Sequence, residues 1–188
     1  MPSSLSHAMV AVTVGSLVAP RRFLRPFLII GATCAVFPDI DAIGRPFYGV
    51  AGDLQTLGGH RGLTHSITFA AMLGVAVSSA TVVDPKWRGQ RLRFGLFVAV
   101  ATALHGVLDL FTSIGAITSP VQFMSPFSSR GFALSRHPIN GLFSELFLCL
   151  LPLIGATRAI WYVRGIPWPR RRSAEIVSLG LSKNRGAA

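Results

Sequence analysis

Apolar residues run through this chain in five blocks separated by short polar or basic stretches: Leu5 to Ala19, Phe23 to Phe37, Ser66 to Val83, Phe94 to Ile117, and Gly141 to Val163. Blocks of this length and character predict membrane helices. A spanning helix needs ~20 mostly apolar residues, so the last three blocks are long enough to cross. The first two, at about fifteen residues each, are short and require shielding by neighbouring helices or only partial entry. A cleavable signal peptide fits the first block poorly, because no basic residue precedes it and Arg21-Arg22 follow directly after Pro20.

Composition strengthens this reading. Of 188 residues, 51% are hydrophobic and only 13% charged, about half the charged share of a water-facing domain. That excludes an ordinary soluble enzyme, a disordered chain and a free nucleic-acid-binding module. The formal charge of +11 comes from 18 basic against 7 acidic residues. The basic residues lie between and after the apolar blocks, where they hold loops against anionic lipid and call for no nucleic acid. If all five blocks cross, Arg21, Arg22, Arg25, Lys86, Arg88, Arg91 and Arg93 share one side with the tail from Arg164 onward. Arg45, Arg61, Arg130 and Arg136 then fall on the other side. The positive-inside rule puts the richer side in the cytoplasm, so the N-terminus and the loops 38 to 65 and 118 to 140 are expected outside. The expected architecture is all-α: a multipass bundle of about four or five helices over residues 1–166, followed by a basic cytoplasmic tail, 167–188. Cys34 and Cys149 both sit in apolar blocks, without a framework of pairs, and read as buried thiols.

The few ionisable residues that remain gather at block ends. They are His7, the pair Asp39 and Asp41 in F-P-D-I-D, His60 and His65 in G-H-R-G-L-T-H-S, and His105 with Asp109 in L-H-G-V-L-D-L. Under the alternating topology all seven reach the outer end of the bundle. His105 and Asp109 are four apart, so on a helix both project from one face, one turn apart. An ionisable pair in a membrane segment is unfavourable by ~2.5–3.5 kcal/mol per central charge on insertion scales, which demands a partner. A divalent cation held by imidazole and carboxylate removes that cost, and the donor set suits zinc, with manganese as the other candidate. Each residue also has an ordinary explanation. His7 alone suits a hydrogen-bonded core residue, Asp39 and Asp41 suit a helix end, His60 suits a solvated loop, and His65 suits the start of a helix. Their joint placement favours metal. Two further features extend the pattern: Arg130 and Arg136 in the outer loop are candidate clamps for an anionic group, and Glu145 sits four residues into the fifth block. No G-x-S-x-G elbow, Cys-His pair or Gly-rich phosphate loop occurs.

At these residues the chain resembles the YdjM-like family of bacterial inner-membrane proteins, described as LexA-regulated, membrane-bound metal-dependent hydrolases. The likeness is carried by His7, Pro38-Asp39-Ile40-Asp41, His60 through Ser66, His105-x-x-x-Asp109 and Ser125-Pro126-Phe127-Ser128, spanning about His7 to His137. That family is distantly similar to zinc-dependent phospholipase C. The similarity implies that His105 and Asp109 are a ligand pair and that Asp39 or Asp41 ligates or acts as base. The phospholipase pattern also has an N-terminal Trp and a His-x-x-x-Glu pair, whereas here the first Trp is Trp87 and His137 and Glu145 are eight apart, so one or two ions are expected.

The leading expectation is therefore a membrane-bound metal-dependent hydrolase of the bacterial inner membrane, whose metal activates water against a lipid-linked or amphiphilic substrate, favoured as a phosphoester. Its metal ligands are drawn from His7, Asp39, Asp41, His60, His65, His105 and Asp109, with Asp39 assigned to metal, Asp41 to the base and Arg130 to substrate. Two alternatives stay open. A transporter or ion relay would spread polar residues along a path, and a structural metal site would close four ligands around its ion.

Overall fold

A computed structural model describes residues 3–44, 61–112, 120–132 and 149–167. Among them the chain forms five α-helices: α1 (Ser4–Val18), α2 (Leu24–Val36), α3 (Ile67–Ala80), α4 (Arg91–Thr112) and α5 (Leu151–Val163). Short 3-10 turns flank several of them, and the described residues hold no strand beyond an isolated antiparallel bridge, Val121 to Phe132. The architecture is all-helical, as the apolar blocks imply.

Among the described residues two apolar stretches are long enough to cross a membrane: one lies in the fourth block, as block length implies, and the other in the second, which block length made short. The 22-residue stretch Arg21–Ala42 and the 20-residue stretch Arg91–Leu110 qualify, while Ser4–Val18 and Ile67–Val83 are shorter apolar helices. The second block is longer than expected because α2 is continued at both ends. The 3-10 turn Arg21–Phe23 leads into it, and the chain runs on through Pro38 as the 3-10 turn Phe37–Gly44. The third block runs from Ile67, after the Ser66 cap, through the 3-10 turn Thr81–Val83, and stops where Asp84 accepts the Lys86 N–H and opens a further turn. Of the fifth block, residues 141 to 148 lie outside the described part. So does the tail from residue 168, and with it most of the expected tail segment.

Helix α4 is central, packing against α1, α2 and α3, while α1 also packs on α2 and α5. The α3–α4 crossing is close: a Cβ on Gly74 would lie 2.6 Å from the Gly95 carbonyl oxygen, and one on Gly95 would lie 2.7 Å from that of Gly74. Small residues of this kind let membrane helices approach backbone to backbone. At one end, Phe23, Phe27, Trp87 and Phe94 form an aromatic core with ring separations of 4.5 to 4.7 Å between successive partners. The basic loops close over that same end. Arg22 donates to the Lys86 carbonyl at 2.8 Å, and Arg164, just past α5, donates to the Ser16 and Ala19 carbonyls that end α1. A cation at a helix C-terminus satisfies orphan carbonyls and complements the helix dipole. Thr13 bonds Thr157 at 2.8 Å and the Trp161 indole donates to Ser16 at 2.6 Å, which joins α1 to α5.

Candidate metal centre

The opposite end of the bundle is built around α4. His105 and Asp109 lie one turn apart on its last part, both 1% exposed. His7, one turn into α1, is buried and stacks on His105 with ring centroids 3.7 Å apart and planes inclined by 19°. Asp39 and Asp41 come from the 3-10 continuation of α2. His65 ends the turn Leu63–His65, immediately before Ser66 caps α3 by accepting the Phe69 N–H at 3.0 Å. This His65 segment lies directly on α4, where a Cβ on Gly106 would fall 2.8 Å from the His65 carbonyl oxygen. A crossing loop holds it there, since Gln122 N–H donates to the Arg61 carbonyl and Ile67 N–H to the Phe123 carbonyl, each at 3.0 Å.

Six of the seven expected ligands are thereby brought together, and His60 lies outside the described residues. Donor atoms of His7, Asp39 and His105 all fall within 4.8 Å of one another, and so do those of His65, His105 and Asp109. The two groups share His105. Asp109 lies 3.6 Å from His7 Nε2 and 3.4 Å from His65 Nε2 through its two oxygens, and Asp39 Oδ1 lies 3.4 Å from His105 Nε2. Asp39 is the more open carboxylate, with its side chain 22% exposed and Oδ2 accepting from the Ser4 hydroxyl at 3.1 Å.

Hydrogen bonding fixes how the imidazoles face this space. His105 Nδ1 is 2.7 Å from the Ala35 carbonyl oxygen, which can only accept, so Nδ1 carries the proton and the neutral ring presents a bare Nε2. His65 Nδ1 is 3.2 Å from Asp41 Oδ2, an acceptor likewise, so the neutral His65 also presents a bare Nε2. The two Nε2 atoms point at each other 3.0 Å apart, with Asp39 and Asp109 alongside. Lone pairs and carboxylates converging in a buried space repel unless a proton or a metal ion lies among them. Burial pushes the His65 imidazole down, and its bonds with Asp109 and Asp41 push it up, with a net rise above the ordinary value. His7 Nδ1 is buried and has no hydrogen-bond partner among the described residues. Mixed imidazole and carboxylate donors, with the far nitrogens of His105 and His65 anchored by a carbonyl and a carboxylate, match the way zinc-type sites orient their ligands. The residues present fit a divalent ion.

Asp41 differs from the other carboxylates. Its Oδ2 accepts the Arg61 backbone N–H at 3.2 Å and the Thr64 hydroxyl, as well as facing His65 Nδ1. Arg61 is the residue that the sequence reading passed over as a loop charge. It is 1% exposed, its backbone adopts φ 68°, and its Nε sits 3.0 Å from Asp109 Oδ2. Its place between His60 and His65 was the available signal. Arg130, by contrast, is exposed, with its guanidinium against the Phe132 ring at 5.8 Å, and among the described residues its contacts do not bring it into the histidine cluster. Arg136 and Glu145 lie outside the described residues.

An all-helical chain with membrane-length apolar helices and an ionisable cluster buried at one end belongs to the class of integral membrane proteins with an internal polar site. More particularly, the chain belongs to the YdjM inner membrane protein family, whose model matches residues 1–181. It is similar to the inner membrane protein YbcI of Escherichia coli (strain K12), at 29% identity over 87% of this chain and 99% of that one. No solved structure matches it.

Proposed function

We propose that this inner-membrane protein is a multipass metal-dependent hydrolase whose centre lies at the outer end of the bundle and acts on a lipid-linked or amphiphilic substrate. The observation that carries the reading is the pair of bare imidazole nitrogens, 3.0 Å apart and flanked by carboxylates, inside a buried pocket of an apolar protein. Ionisable groups are too unfavourable in such a place to be kept for packing alone.

His65, His105 and Asp109 would hold the ion, with His7 and Asp39 beside them. A bound divalent ion supplies Lewis acidity, lowering the pKa of a water and polarising the bond under attack. The chain's own residues do the rest. The Ala35 carbonyl and Asp41 keep His105 and His65 in their ligating tautomers. Asp41 is thereby given orienting work in place of the base role that its sequence position suggested, since its Oδ2 is already occupied by three donors. Asp39, the more open carboxylate, is better placed to take a proton from an incoming water. The phosphoester preference rests on the distant likeness to zinc-dependent phospholipase C, since Arg130 lies away from the cluster and Arg61 is buried against Asp109.

Multipass insertion is supported by the outer surfaces of the helices. Leu17, Ile29, Val75, Leu96 and Val163, one from each of the five, are between 57% and 83% exposed. Such a surface suits lipid and not water. An open apolar groove lined by Thr33, Val36, Phe37 and Ile40 reaches Asp39 from this side, which gives an acyl or polyprenyl chain a place beside the site. Orientation follows from the basic loops at the other end. In a chain with Cys34 and Cys149 replaced, Ser129→Cys should react with an impermeant thiol reagent applied to the outer face and Arg88→Cys should not; the reverse pattern would invert the topology. The activity is tested with the purified, zinc-loaded protein on a panel of phospholipids and polyprenyl phosphates. Release of phosphate or headgroup that stops on chelation is expected, and hydrolysis of nothing in the panel would count against the enzyme.

A further inference from the structure

Pro38 stands where α2 changes from one hydrogen-bond register to another. The Phe37 N–H still makes an α-type bond, donating to the Thr33 carbonyl. Position 38 comes next, and in the α pattern its N–H would take the Cys34 carbonyl. In the 3-10 run Phe37–Gly44 an N–H reaches the carbonyl three residues back, which for position 38 is that of Ala35. Proline has no N–H to offer to either. Buried carbonyls left in this way need donors from elsewhere, and in apolar helices a neighbouring helix supplies them. Here both donors come from α4. The Thr102 hydroxyl donates to the Cys34 carbonyl at 3.3 Å, and His105 Nδ1 lies 2.7 Å from the Ala35 carbonyl oxygen. Thr102 and His105 are three apart and share one face of α4, both buried, and the Pro38 ring is buried as well.

We propose that Pro38 is a positioning residue for the metal centre: by withholding an N–H it leaves the Ala35 carbonyl to His105, which holds that imidazole's proton on Nδ1 and keeps Nε2 open for the ion. The inference rests on the metal-centre reading above and says what prepares the histidine that both candidate donor groups share. A residue with an N–H at position 38 would compete for the same carbonyl. A His105 ring released from that carbonyl can carry its proton on Nε2 instead, the atom that metal binding requires to be bare. The run Pro38-Asp39-Ile40-Asp41 then supplies more than carboxylates, because its first residue acts on the histidine of another helix.

The test compares the full chain in detergent with Pro38→Ala and with a chain carrying lactic acid at position 38, the ester analogue of alanine, which lacks both the ring and the N–H. Isotope-labelled imidazole nitrogens are read by NMR in the metal-free state, with His105→Ala identifying the His105 signals, and Co2+ affinity is measured by visible absorption. In the wild-type chain His105 should show the Nδ1–H tautomer. Pro38→Ala should move its signals toward the Nε2–H form and weaken Co2+ binding by about 10–100-fold, the usual effect of disturbing an outer partner of a ligand. The ester chain should match wild type in both. An unchanged tautomer or an unchanged Co2+ affinity in Pro38→Ala would overturn the inference. So would equal losses in the alanine and ester chains, since these would assign the effect to the ring. If Pro38→Ala fails to fold, the ester chain decides: wild-type His105 signals support the inference and altered ones overturn it. A wild-type chain that binds no Co2+ would overturn the metal reading, while the tautomer comparison, made without metal, still decides whether Pro38 sets the His105 proton.

Discussion

Asp109→Ala is expected to destabilise the protein more than any other single change at the centre. The carboxylate is buried, and it faces Arg61 Nε at 3.0 Å and the imidazoles of His7 and His65 at 3.6 and 3.4 Å. Removing it leaves the guanidinium buried without that counter-charge. Breaking a buried pair from one side typically costs about 3–5 kcal/mol, a large part of the ~5–15 kcal/mol that holds an ordinary domain together. The expected result is a clear drop in the unfolding midpoint in detergent, together with loss of bound metal. Asp109→Asn, which keeps the shape, should lose metal with a smaller drop. An Asp109→Ala chain as stable as wild type would mean that Arg61 and Asp109 are not coupled as the geometry implies.

Asp41→Asn is expected to have the second largest effect, and its pattern separates two accounts of this residue. If Asp41 orients His65, an amide in its place can turn an N–H toward Nδ1 and shift the imidazole proton to Nε2, the atom that should bind metal. Metal affinity should then fall by about 10–100-fold, the usual effect of removing such an outer partner, and turnover should fall with it. If Asp41 were instead the base, metal would be retained and only turnover lost, by about 10²–10⁴-fold. A Co2+ titration of the variant, paired with the hydrolysis assay, distinguishes the two.

Much of this centre was legible in the sequence because a membrane protein leaves few places for charge. The i, i+4 spacing of His105 and Asp109 and the alternation of apolar blocks were enough to bring six dispersed residues to one end. What escaped was set by backbone detail. Arg61 read as a topological charge because nothing in a loop sequence announces a left-handed residue, φ 68°, whose side chain turns inward onto Asp109. Asp41 and Asp39 looked interchangeable because their difference lies in which donors reach them, Arg61 N–H and Thr64 for one and Ser4 for the other. The length of the second apolar stretch was underestimated because Pro38 reads as a stop, whereas here it falls within the 3-10 turn that carries α2 onward and delivers both aspartates.

The most direct test of the whole account is the metal content of the protein purified from its native membrane, set beside that of His65→Ala and His105→Ala, with helicity checked in each. The account predicts a divalent transition metal in the wild-type chain, close to stoichiometric, and less than a tenth of that in either variant. Equal metal in all three, or none in any after equilibration with zinc, would contradict it.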